Sequence, residues 1–220
     1  MPTDHLTTFF APPERAAAAI LSEQHAALRG DRVVARMLDG FPEPAMILNR
    51  QRQVVLANDK LAALLARPAD TLVGLRPGEA FSCLHAGESP GGCGTTEACR
   101  YCGAARSIVA SQDSRSAQVE ECRILQTSGG ALDLLVWATP LQVAGEEYTL
   151  LALRDTTDEH RRQSLERLFF HDVLNTAGGL RGLLEILPDA DAAEAGELAD
   201  RARQLASYLI EEIQAQRALS

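Results

Sequence analysis

Residues 47 to 65 read ILNRQRQVVLANDKLAALL, and the period of the apolar residues changes partway along this stretch. The apolar runs Ala45 to Leu48 and Val54 to Leu56 flank the polar Asn49-Arg50-Gln51-Arg52-Gln53, the pattern of a β-hairpin. Ala57-Asn58-Asp59-Lys60-Leu61 then opens a short helix with Leu61, Leu64 and Leu65 on one side, ending near Pro68. Downstream, three further runs read as strands: Arg115 to Leu125, Ala131 to Val143 around Trp137, and Tyr148 to Leu153. Gly129-Gly130 and Gly145-Glu146 supply the turns between them, and Ala104 to Ala110 reads as the helix before this sheet. Upstream, Pro12-Pro13-Glu14 is a helix start leading into Ala16 to Leu28. Gly30 breaks that helix, and a second piece, Arg32 to Leu38, ends at Gly40. Residues 1 to 11 carry no periodic signal and read as a frayed tail.

A hairpin that ends in an Asn-containing entry to a helix, followed by three strands, resembles a PAS domain. The final strand runs into Arg154-Asp155-Thr156-Thr157-Asp158, which resembles the junction through which PAS domains hand off to a signalling helix. The resemblance implies an α+β fold, a PAS-type antiparallel sheet with flanking helices spanning residues 42 to 156, with residues 1 to 41 as a tail and helical segment before it.

Between hairpin and strands lies a glycine-rich segment holding four of the five cysteines: Cys83, Cys93, Cys99 and Cys102. In a reducing compartment such a cluster reads as metal or redox chemistry before structural disulfides. Four thiolates are a complete ligand set for zinc or for an iron-sulfur cluster. Only Cys99 and Cys102 have the two-residue spacing that chelates on its own, His85 could replace one sulfur, and redox-switching disulfides or unpaired small core residues are the other readings. Cys122 reads as core. Gly91 to Gly94 lacks the lysine and the strand-loop-helix setting of a phosphate cradle.

Beyond the junction, residues 158 to 187 read as one long helix, stopped at Pro188-Asp189. A second helix from about Ala192 carries Leu198, Ala202, Leu205, Leu209 and Ile213 on one stripe. At about 100° per residue, Leu165, Phe169, Val173, Thr176, Leu180, Leu184 and Leu187 share one arc, and His171 projects almost opposite its centre. Asn175 is on the face of His171, and Asp172 is its neighbour in the chain. His171, Asp172 and Asn175 resemble the H box of sensor histidine kinases, although many of those have a proline where Thr176 stands here. The resemblance implies that His171 takes the γ-phosphoryl group of ATP and passes it to the aspartate of a response-regulator receiver domain. It implies that Asp172 orients and deprotonates the imidazole, and that Asn175 positions water for the reverse, phosphatase reaction. Residues 158 to 220 would then form an antiparallel helical hairpin that dimerises into a four-helix bundle, since neither stripe can be buried by one hairpin alone.

The ATP-binding domain such a kinase needs, with its Asn-bearing helix and glycine-rich lid, is not read in these 220 residues, so a separate or further domain would have to supply ATP. The alternative is a non-catalytic dimeric redox or metal-binding PAS module acting through a partner protein. A formal net charge of -9 argues against nucleic acid or an anionic membrane as partner. The apolar runs are too short for a membrane span, and the first residues do not resemble a signal peptide, so a soluble, cytoplasmic chain is expected. His5, His25 and His160 read as solvated residues.

Overall fold

A computed structural model describes residues 8 to 219, with the backbone alone for Ala192, Ala193, Ala218 and Leu219. The chain separates into two compact units, one ending at Thr157 and one beginning at Asp158.

The first unit is built on five antiparallel strands: β1 (Ala45–Leu48), β2 (Val54–Ala57), β3 (Gln118–Leu125), β4 (Ala131–Val143) and β5 (Glu146–Asp155), in the order β2-β1-β5-β4-β3. This is the antiparallel sheet with flanking helices that the resemblance implied, with the chain crossing from β2 to β3 through helices on one face. Alternation along β1 explains why its sequence is apolar at every position. Met46 and Leu48 point into one core with Phe81, Ile108, Leu134 and Leu151, while Ala45 and Ile47 point into a second core with Leu28, Leu38 and Tyr148. Each fully buried leucine or phenylalanine contributes about 1.5–3 kcal/mol.

The second core is closed by α1 (Ala18–Gly30) and α2 (Arg32–Asp39), whose Leu21, Leu28, Val34 and Leu38 cover the outer face of the sheet. These helices therefore lie within the first unit. Asp31 lies between them and its carboxylate accepts from Val33 and Val34 N–H, the cap that starts α2. His25, expected to be solvated, is half-buried on α1 and shares a 2.7 Å hydrogen bond with the Val55 carbonyl on the edge strand β2.

Helix α1 begins later than Pro12-Pro13-Glu14 predicted. Those residues lie outside the helix, and their carbonyls accept hydrogen bonds from arginine side chains of the domain: Pro12 from Arg52 at 2.6 Å, Pro13 and Glu14 from Arg76 at 3.1 and 2.7 Å. Nor is the segment just before them frayed, as Phe9 and Ala11 N–H donate to the carbonyls of Thr95 and Gly94, both at 2.9 Å. Residues 1 to 7 lie outside the described residues.

The inner face carries α3 (Asp59–Leu64), the one-turn α4 (Pro77–Ala80) and α5 (Gly103–Ser114), with short 3-10 turns between them. Asn58, wholly buried, starts α3: its Oδ1 accepts from Leu61 and Ala45 N–H, and its Nδ2 donates to the carbonyls of Glu43 and Leu38.

The second unit is a helical hairpin, α6 (Thr157–Ile186) and α7 (Ala192–Leu219), joined through a 3-10 turn at Leu187–Asp189 where Pro188 stops the first helix. Leu205 lies against Gly179, 3.6 Å from where a Cβ would stand. Phe169, Val173, Thr176, Leu180 and Leu187 are half-buried, as their shared arc predicted, whereas Leu165 and Leu184 at its ends are exposed.

Candidate functional sites

On α6, the imidazole of His171 is exposed, opposite the half-buried stripe. Its Nδ1 lies 3.1 Å from Asp172 Oδ1, and Asn175 Nδ2 stands 3.2 Å from Nδ1 and 3.3 Å from Nε2. A carboxylate can only accept, so the contact with Asp172 favours the proton on Nδ1 and leaves the lone pair on Nε2. An exposed Nε2 with a lone pair is a nucleophile, and the Asp172 charge stabilises the positive ring that forms when it attacks. The three residues singled out on this helix are thus brought together by one turn.

The last residues of the first unit, Thr156 and Thr157, are tied to the sheet. Thr156 N–H and Oγ1 both donate to the Asp133 carbonyl on β4, at 2.8 and 3.1 Å, and Asp133 N–H donates to Thr157 Oγ1 at 3.0 Å. Asp155 Oδ1 accepts from Thr157 N–H at 2.9 Å and so caps the first turn of the helix.

The cysteine-rich segment wraps a cavity of about 310 Å³ between α5 and the sheet, and Cys83, Cys93, Cys99 and Cys102 all line it. Two glycines make this possible. A Cβ on Gly78 would stand 2.8 Å from Cys93 Sγ, and its absence lets Gly78 N–H donate to that sulfur at 3.3 Å. A Cβ on Gly103 would stand 2.0 Å from the Glu121 carbonyl, so only glycine lets α5 start against β3. That approach brings Cys102 Sγ to 3.6 Å from Cys122 Sγ. Cys122 is buried core, as its place in a strand suggested.

Cys99 Sγ accepts from Gly94 N–H at 3.2 Å and lies 3.2 Å from Thr96 Oγ1. All five cysteines are thiols. Burial pushes the Cys93 thiol up to about 12. The hydrogen bond from Cys122 outweighs burial at Cys102 and, with the Ala104 and Ala105 N–H groups at the start of α5, holds it below the ordinary thiol value, while Cys122 is held protonated as the donor. The sulfurs lie on several walls of the cavity: among the described residues, no three His, Cys, Asp or Glu side chains gather closely enough to hold a single metal ion. His85 also borders the cavity, with Nδ1 2.8 Å from Glu88 Oε1.

Sequence reasoning missed two arginines at this site. Arg76 is wholly buried and Arg52 nearly so, and both line the cavity. Arg76 donates to the carbonyls of Gln51, Gly91, Cys93, Pro13 and Glu14, and burial lowers it to about 10, which leaves it charged at neutral pH. Arg52 has φ 63°, the left-handed region that favours glycine, and its guanidinium lies against Gly94. Glu79 pairs with Arg15 and accepts from Arg76 and Cys93 N–H. Burial pushes the Glu79 carboxyl up, but these donors outweigh it and hold it below its ordinary value. An arginine followed by proline carries no signal of burial, so only the fold could reveal it.

No protein-family model matches the sequence, and no curated protein does. Among solved structures the chain is similar to the PAS domain of BvgS from Bordetella pertussis, with 16% identity over 62% of this chain and 94% of that one and a TM-score of 0.38. It is also similar to the PAS domain of nitrogen regulation protein NR(II) from Vibrio parahaemolyticus, with 15% identity, 55% and 95% coverage and a TM-score of 0.41. A third similar structure is the RsLOV d2 variant, at 13% identity, 91% and 98% coverage and a TM-score of 0.42.

Proposed function

We propose that this chain is the signal-sensing and phosphoacceptor part of a two-component sensor histidine kinase, with His171 as the phosphorylated residue. The observation that carries the reading is the exposed imidazole with Asp172 at 3.1 Å and Asn175 at 3.3 Å, set opposite the stripe that packs within the hairpin. In the proposed reaction, Nε2 attacks the γ-phosphorus of ATP held by a histidine-kinase ATP-binding domain. The N–P bond forms as the bond to the ADP oxygen breaks, and ADP leaves. An aspartate oxygen of a receiver domain then takes the phosphoryl group and returns the imidazole to its starting state.

The reading includes homodimerisation. Leu165, Leu168, Leu174 and Leu184 on α6 and Tyr208 and Ile210 on α7 are exposed on the single chain, apolar side chains of which a second hairpin would cover a part. It also places the chain in the cytoplasm, where ATP and receiver domains meet. No helix among the described residues is long and apolar enough to cross a membrane.

The test supplies the chain with a histidine-kinase ATP-binding domain and γ-labelled ATP. Acid-labile label is expected on the parent and not on His171→Gln. Equal labelling of the two proteins would overturn the assignment.

A further inference from the structure

Proteins seldom bury cationic side chains without an anion nearby, because an uncompensated charge in a low-dielectric site is costly. Here two guanidinium groups, Arg52 and Arg76, are buried at the wall of one cavity, and carbonyl oxygens supply most of their hydrogen bonds. Glu79 is committed to Arg15 and to backbone N–H groups. The other cavity walls are largely apolar, with Phe81, Ile108, Ile124, Leu134, Leu151 and Leu153, and they are interrupted by Cys83, Cys93, Cys99 and Cys102. The site therefore offers sulfur ligands, a positive field and largely apolar walls.

We propose that Cys83, Cys93, Cys99 and Cys102 together ligate one iron-sulfur cluster in this cavity. Three observations favour a cluster over a single zinc ion. First, a zinc site closes four donors tightly around one point, whereas the donors here do not converge on one and instead surround about 310 Å³. A polynuclear cluster takes each thiolate at a different iron, so its ligand sulfurs stand farther apart than those around a single ion. Second, a cluster with four thiolate ligands is an anion, and Arg52 and Arg76 provide the matching charge. Third, Cys93 and Cys99 each accept a backbone N–H, from Gly78 and Gly94, the kind of hydrogen bond to a ligand sulfur that tunes a cluster. Arg52 sits at this wall in a strained conformation, as residues at functional sites often do. Loading from a cluster ligated by small thiolates is a ligand exchange. Four Fe–S bonds to cysteine replace four to the small thiols, and each cysteine proton leaves on a departing thiolate.

The experiment loads the full chain anaerobically by that exchange, and in parallel purifies it anaerobically from cells. The expected result is broad visible absorbance with iron and acid-labile sulfide in equal amounts. Cys93→Ser and Cys99→Ser should lose it while keeping the parent far-ultraviolet circular dichroism, and Cys122→Ser should retain it. Should the buried variants fail to fold, Cys83→Ser, at a half-exposed position, makes the same test. Arg52→Gln should hold the cluster at a more negative reduction potential. Stoichiometric zinc without iron, five titrating thiols with no metal, or equal iron in all four cysteine variants would each overturn the proposal. None of these results depends on His171, so the outcome is separable from that of the phosphotransfer test.

Discussion

Asp172 accepts at His171 Nδ1 and thereby directs the lone pair to Nε2. Asp172→Asn keeps the shape and removes the charge that favours attack, and it should slow phosphorylation of His171 by about 10²- to 10⁴-fold, read from initial rates of labelling. Asn175→Ala should leave that rate within about tenfold and slow dephosphorylation instead, since the H-box resemblance gives this position to the water-handling step. Glu79 is the residue to probe by pH. Its folded carboxyl lies below its ordinary value of 4.5, so the stabilisation it gives is present above that value and is lost as pH falls through the folded one. Glu79→Gln should cost about 1–3 kcal/mol at neutral pH and flatten the acid limb of stability measured by denaturant titration below about pH 4.5. An unchanged acid limb would show that Arg15 and the two N–H groups do not depend on this charge.

At the level of elements, Asn58 joins three of them, capping α3 while closing the N-terminus of β1 and the carbonyl at the end of α2. Asn58→Ala removes a cap and strands the Glu43 carbonyl and the Ala45 N–H inside the domain, and should cost about 2–4 kcal/mol. Asn58→Asp retains the accepting oxygen and should lie between alanine and the parent. The step from β5 into α6 is a second such joint. Asp155→Ala removes the cap at Thr157, and Thr156→Val removes one of two bonds to the Asp133 carbonyl. Each should cost about 0.5–2 kcal/mol locally. If this joint transmits a change of state to the helix bearing His171, both variants should abolish the dependence of labelling on signal or cofactor state while the chain still dimerises. A full response in both would remove the joint from the signalling path.

For the molecule as a whole, the apolar surface left on the hairpin predicts association. The chain should sediment as a homodimer, and Leu174→Glu should weaken it, because leaving a leucine unburied costs about 1.5–3 kcal/mol, which is tenfold or more in Kd. A parent that is monomeric at micromolar concentrations and still labelled on His171 would contradict the four-helix arrangement. The three residues at His171 are all local to one helix, whereas the cavity of the first unit draws its walls from residues between Arg52 and Leu153.

The sequence by itself determined the features that repeat within a few residues. Apolar runs marked the strands, the apolar stripe along α6 placed His171 outward, and Asn58, Gly129, Gly145 and Pro188 punctuated the chain where the structure turns. These are local because backbone period and turn chemistry act between near neighbours. What only the tertiary structure decided lies in contacts across long separations. Cys102 meets Cys122 only because α5 starts against β3 at Gly103, and Phe9 to Glu14 is ordered only because Thr95, Arg52 and Arg76 hold its backbone. The four cysteines share one cavity because the sheet and α5 enclose it, and Arg76 is buried beside them because distant carbonyls satisfy its guanidinium. No periodicity encodes such a meeting; it depends on how much surface the packed elements take out of water together.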